Sequence, residues 1–426
     1  MQKAKLPRRE FLEKMFAGMA GASTLAAFVP IQSAFANQLS EVKIGANSFA
    51  EMRDEYLLSP QVTYFNHGSI GTMPKMVHEA HKGYLELCES NPWLYMWGGP
   101  WKEALASTRA KAAKFMGCDA DEIAFTHNTT EGFNLLANGL PLGNGDEVVF
   151  STLNHAGASQ CWFHYAQTRG YLVNKFDFPI REVPGLSRED VVAIYAKNIS
   201  ENTRVLVFPH VDNLVGLRHP VRELAAMAHS KGVQYVAVDG AQAVGMIAVN
   251  VQELGVDFYA TSPHKWLQAP KGTGLLYLRK KAQAQLSPMW VTWGQAKWKG
   301  TVRVFEDYGT RNLPEVLALG DAIDFQARLG PEATEKRRQT LWRHFYNAVD
   351  GNPGIAWRSP TSWDLATSIY TIEVEGKDSQ DLFEKLYQSQ GYVFRAFHAP
   401  QWNTLRISPN IYNTPEEIDR FVKLLG

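Results

Sequence analysis

Between about Ala120 and Lys281, short apolar runs alternate with stretches whose apolar residues recur every three or four positions. The pattern predicts strands at 147–151, 171–178, 203–211, 233–239 and 257–261, with a closing strand at 272–279. It predicts helices between them at 158–169, 187–198 and 221–231. Apolar runs such as Val236-Ala237-Val238 lack in/out alternation, as strands covered on both faces do. This βαβ rhythm predicts an α/β fold, a mostly parallel central sheet flanked by helices. Ligands of such sheets bind at the carboxyl ends of the strands. From Pro314 the pattern changes to a long helical stretch through Arg343. A strand at 368–375, a helix at 379–388 and strands near Tyr392 and Thr404 follow. That half predicts a smaller α+β C-terminal domain.

The N-terminus reads differently. Arg8-Arg9 is followed by a weakly apolar stretch from Met15 to Val29 and by Ala34-Phe35-Ala36. The order is that of a twin-arginine export signal with a small-residue cleavage site, although Pro7 stands where Ser or Thr is common. About 20 apolar residues are needed to span a bilayer, more than this stretch offers. The expectation is export of a folded protein to the periplasm, with no membrane span in the mature chain. The domains expected are a signal at 1–36, an N-terminal segment at 37–75, a large domain at 76–315 and a small one at 316–426. Loss of the signal removes five basic and two acidic residues and takes the net charge from zero to −3.

Composition narrows the function classes. With 45% apolar and 20% charged residues, the 426-residue chain has globular composition, and its balanced charge points to neither nucleic acid nor a membrane surface. The cysteines Cys88, Cys118 and Cys161 have no metal-ligand or paired spacing, so no metal is expected.

Three motifs carry chemistry together that none carries alone. Thr261-Ser262-Pro263-His264-Lys265-Trp266 puts a lysine just past a strand. By itself it reads as a solvated lysine, but a lysine buried there would have the lowered pKa that bonding to a carbonyl cofactor needs. Twenty-six residues upstream, an apolar strand ends in Asp239, with Gln242 three residues on. Asp239 would cap a helix equally well; beside a pyridine nitrogen it would keep the ring protonated, and Gln242 would reach the ring hydroxyl. Thr126-His127-Asn128-Thr129-Thr130-Glu131-Gly132 opens a helix, where Thr129 and Thr130 would either cap it or hold a phosphate. The three together point to pyridoxal 5′-phosphate (PLP) bound to Lys265.

In this order the motifs resemble the class V aminotransferase superfamily, of PLP fold type I. Its large domain is aspartate aminotransferase-like. The resemblance is to isopenicillin N epimerase-like proteins, with cysteine desulfurases more distant. It implies that His155 stacks on the cofactor ring, that Asn213 lies near the ring oxygen, and that Ser262 and His264 contact the phosphate. It implies that Arg406 grips the substrate carboxylate and that the loop containing Gly68 and Ser69 closes over the site. Thr310 would reach the phosphate of a second subunit, which implies a homodimer. The segment 394–402 contains no Cys where desulfurases carry their nucleophile, so persulfide chemistry is not expected. The expected function is PLP-dependent chemistry on an amino acid, or on an amino-acid group of a peptide, with removal of the Cα proton. The alternatives are periplasmic tailoring of a pyoverdine-type siderophore side chain by transamination or decarboxylation, and a PLP-fold binding protein without turnover.

Overall fold

Consecutive residues of the central strands point to opposite faces of their sheet, and both faces are buried, which explains the unbroken apolar runs. Val236 and Val238 enter one apolar cluster and Tyr235 and Ala237 the other. The structure is a computed structural model that describes Phe49, residues 51–399 and residues 402–426. The expected export signal lies outside the described residues, as do most of 37–50 and Pro400-Gln401.

The strands are β1 (Thr63–Tyr64), β2 (Ile123–Thr126), β3 (Glu147–Ser151), β4 (Leu172–Phe176), β5 (Thr203–Pro209), β6 (Tyr235–Asp239), β7 (Phe258–Thr261), β8 (Gly274–Leu278), β9 (Ile355–Trp357), β10 (Tyr370–Val374), β11 (Tyr392–Val393), β12 (Arg395–Ala399) and β13 (Trp402–Ile407). The longer helices are α1 (Lys75–Ser90), α2 (Lys102–Met116), α3 (Thr129–Gly139), α4 (Ala156–Arg169), α5 (Arg188–Ala196), α6 (Val221–Ser230), α7 (Leu313–Leu329), α8 (Pro331–Val349), α9 (Ser379–Gln390) and α10 (Pro415–Leu425).

The large sheet has seven strands in the order β2-β8-β7-β6-β5-β3-β4. β8 runs antiparallel to both its neighbours and the other pairings are parallel. Helices α3 and α4 cover one face, while α2, α5, α6 and α7 cover the other. The predicted strands and helices are present with ends within about two residues of expectation: most are slightly shorter, 147–151 is unchanged, and the helices at 158–169 and 379–388 each gain two residues. The stretch from Pro314 through Arg343 is two helices rather than one. Gly330, at φ +78°, ends α7, and Pro331 opens α8, because proline lacks the N–H that a continuing helix needs. Helices α1 and α2 were not anticipated by the hydrophobic pattern.

The C-terminal sheet, β12-β13-β10-β9, is antiparallel and packs its apolar residues against α8, α9 and α10. β1 joins this half by pairing in parallel with β11, Thr63 opposite Tyr392. The chain then crosses toward the large domain: Ser408 N donates to Phe65 O at 2.7 Å, and Gly71 N donates to His264 O at 2.9 Å. Among the described residues no helix is long and apolar enough to cross a membrane.

Candidate active site

The carboxyl ends of β2, β3, β5, β6 and β7 open on one cavity of about 400 Å³, closed on the far side by β12 and β13. Lys265 lies in the loop after β7, where its backbone N–H donates to Ser262 O at 3.1 Å. Burial pushes its amine down to about 8; Asp239 opposes that shift and Arg406 adds to it. Gln268, three residues on, has left-handed backbone at φ 62°. Its Oε1 accepts from Tyr56 (3.0 Å) and Gln326 (2.8 Å), contacts that hold an unfavourable conformation beside the lysine.

Asp239 ends β6 and is 5% exposed. Its Oδ1 accepts from Ala241 N at 2.9 Å. Burial raises its pKa, while the Ala241 N–H, Lys265 and His155 oppose the shift. His155 caps the start of α4: Gly157 N donates to its Nδ1 at 3.1 Å, which leaves the ring proton on Nε2. His155 is exposed overall, and partial desolvation of its ring holds it below the usual histidine range, against the pull of Asp239. A capping role and a site role thus coincide in this residue.

The phosphate-type cradle forms where α3 meets the lysine loop. Asn128 caps α3 by accepting from Glu131 N at 3.0 Å. Ser262 Oγ accepts from Thr129 N at 3.0 Å and lies 2.9 Å from Thr129 Oγ1. Thr130 and His264 line the same wall. His264 Nδ1 is buried without a partner, and burial, reinforced by Lys265 and Lys271, lowers the ring to about 4.

Arg406, on β13, is 3% exposed. It donates to Asn213 O (2.9 Å), Asn66 Oδ1 (3.0 Å) and Ser69 Oγ (2.6 Å), while its Nε is buried without a partner. Gly68 packs against it, with room for little more than a hydrogen. Asn213 lines the cavity and meets Arg406 through its backbone. Gln242 is already engaged: it donates to Gly68 O at 2.7 Å and accepts from Trp266 Nε1 at 2.8 Å. It ties the closing loop to the lysine segment, a role the sequence did not suggest, and retains one N–H for a ligand.

Every residue expected in the site lines this cavity except Thr310. Thr310 is exposed and lines a separate cavity of about 620 Å³ bordered by Trp97, Trp101, Trp293 and Trp298. Cys88, Cys118 and Cys161 also lie outside the site cavity. The structure adds Arg395 and Phe397 to the wall. It also adds Gly71, where a Cβ would stand 1.8 Å from Lys265 O. Gly71→Ala must therefore displace the lysine segment. A loss of about 1–3 kcal/mol is expected, with weaker cofactor retention. A thermal melt and a cofactor titration matching wild type would show that the loop gives way freely.

The residues present fit PLP. A buried carboxylate keeps one oxygen outside its backbone hydrogen bond, hydroxyls and a helix start form an anion cradle, His264 lines the same cavity with an unpartnered ring nitrogen, and a half-buried lysine has a lowered pKa. The chain is 31% identical over 390 residues to the isopenicillin N epimerase of Streptomyces clavuligerus, covering 88% of this chain and 97% of that one. A probable cysteine desulfurase of Halalkalibacterium halodurans is 29% identical over 398 residues, covering 87% and 94%. The solved structure of a C-DES variant with glycine covalently linked to its PLP cofactor superposes with a TM-score of 0.78 at 21% identity, covering 90% and 99%, which establishes the shared fold. The aminotransferase class-V family profile matches residues 63–421, and the chain belongs to that family.

Proposed function

We propose that this chain is a PLP-dependent enzyme that removes the Cα proton of an amino acid or of an amino-acid group in a peptide. The observation that carries the proposal is one 400 Å³ cavity that brings together a half-buried lysine and a buried aspartate at strand carboxyl ends and a buried arginine from β13. PLP bound there supplies an electron sink for the carbanion left by Cα deprotonation. Lys265, with its amine near 8, can take and return that proton close to neutral pH. Asp239 would keep a proton on the ring nitrogen, and His155, a neutral imidazole lining the same cavity, would pack against the cofactor without adding charge. Arg406 lines the cavity, held in place by Asn213, Asn66 and Ser69, and carries the planar positive charge suited to the substrate carboxylate. Ser262, Thr129, Thr130 and His264 hold the phosphate.

Epimerisation follows the likeness to the Streptomyces enzyme, and transamination shares the same first proton removal. Incubation of the loaded protein with amino acids and short peptides in deuterated water should place deuterium at Cα. Release of carbon dioxide without that exchange would replace proton removal with decarboxylation. Lys265 also predicts a pH dependence. Its pKa is depressed in the folded chain, so the reactive free amine accumulates as pH rises through about 8 rather than through the ordinary 10.5. Capture of PLP by apoprotein should accelerate over that window. A midpoint near 10 would show that the amine is solvated. Export by the twin-arginine route and a homodimer completed by Thr310 are part of the same proposal. Their supports are Arg8-Arg9 with the 34–36 site and the position of Thr310 outside its own chain's cavity. A cytoplasmic fraction carrying the protein uncleaved, or a monomer in sedimentation, would remove them.

A further inference from the structure

The cavity contains a second guanidinium with no partner of opposite charge. Arg395 lies directly opposite Arg406 on the antiparallel β12–β13 ladder, so both side chains leave the same face of the sheet. Phe397, two residues along β12, shares that face. Each guanidinium carbon stands 5.6 Å from the centre of the Phe397 ring. Arg395 is exposed and Arg406 buried, so one stands at the mouth of the cavity and the other at its floor. Like charges facing each other across a ladder are destabilising unless something neutralises them. The chain does not do so: the partners of Arg406 are a carbonyl, an amide and a hydroxyl, and Arg395 has no acidic partner among the described residues. Asp212 is the carboxylate that acts electrostatically on Arg406, and its oxygens are taken by the backbone N–H groups of Leu214, Val215 and Leu217 at 2.6–2.8 Å.

We infer that Arg395 is a specificity-determining anchor for a second carboxylate, and that the substrate is a free acidic amino acid with its α-carboxylate on Arg406 and its side-chain carboxylate on Arg395. This rests on the proposed PLP function and narrows it. A residue joined to a peptide through its α-carboxyl would leave Arg406 without its carboxylate, and one joined through its side chain would leave Arg395 without one. Both acids must therefore be free.

The test is calorimetric titration of the PLP-loaded protein with L-glutamate, with its side-chain amide L-glutamine, and with its α-amide. Glutamate should bind at least tenfold tighter than either amide, on the order of 1.4 kcal/mol each. Arg395→Gln should bring glutamate down to the level of glutamine, and Arg395→Lys should keep part of the preference. Equal binding of glutamate and glutamine by the wild type overturns the inference, as does a preference that survives Arg395→Gln. An α-amide that binds as tightly as glutamate overturns the requirement that both acids be free. Glutarate and pentanoate, which lack an amine, repeat the comparison without the cofactor. A protein that takes up no PLP but prefers glutarate, and loses that preference in Arg395→Gln, sinks the proposed reaction and keeps the anchor.

Discussion

Lys265→Ala should yield a colourless protein that binds PLP only reversibly and turns over at least about 10³-fold more slowly than wild type. The reasoning is local. The amine is buried, its pKa is lowered by that burial, and it shares a cavity with Asp239 and Arg406. Truncation at Cβ removes both the covalent tether and the base that handles the Cα proton. The space left behind allows a diagnostic rescue, because a small primary amine added to the buffer can occupy it and restore part of the rate. The checks are borohydride reduction followed by peptide mass mapping and single-turnover kinetics with and without added amine. Cofactor found fixed to another lysine in the wild type would contradict the assignment outright.

Asp239→Asn should cost roughly 10²–10³ in turnover with little loss of stability. The substitution is isosteric, and the amide oxygen can still accept from Ala241 N, so the local backbone keeps its partner. The negative charge is lost, and with it the group that would keep the cofactor nitrogen protonated. The stability sign follows from the pKa shift. Burial raises the folded-state pKa of Asp239 above its unfolded value, so holding the ionised form in place costs folding free energy above that range. Asparagine removes this cost, and the melting temperature at neutral pH should hold or rise. Asp239 also raises the pKa of Lys265, so the midpoint for PLP capture should move below that of wild type in the variant. An active Asn variant would assign the ring-nitrogen role elsewhere. A variant that melts early would make Asp239 a structural residue.

What was legible in the sequence follows from the physics of each part. Strands buried on both faces must be apolar at every position, so β5, β6 and β7 stood out, and residues at their carboxyl ends could be placed without coordinates. That is why Lys265 and Asp239 were readable from the pattern, whereas Asn213 was named only through the family resemblance. Helices α1 and α2 lie upstream of the strand rhythm that organised the reading, and the break between α7 and α8 rests on Gly330-Pro331, punctuation that a long helical pattern masks. Features that depend on non-local pairing left no local trace. The opposition of Arg395 and Arg406 is a matter of hairpin register. The left-handed Gln268 depends on Tyr56 and Gln326, which arrive from distant segments. Gln242 was read only as a ligand residue, and the structure shows that it also braces two loops, because sequence shows a side chain's reach but not what already occupies it.

The pairing of β1 with β11 also sets an order of assembly. Thr63 emerges early in synthesis and its partner Tyr392 almost last, so the segment from Phe65 to Gly71 lacks the anchor at its Phe65 end until the C-terminal half exists. The large sheet can form beforehand with the Lys265 loop still uncovered, because nothing in its ladder needs residues beyond Leu278. Closure of the site over the lysine is therefore a late event in the life of each molecule. A chain released short of β11 would present a finished sheet with an open, unguarded cavity.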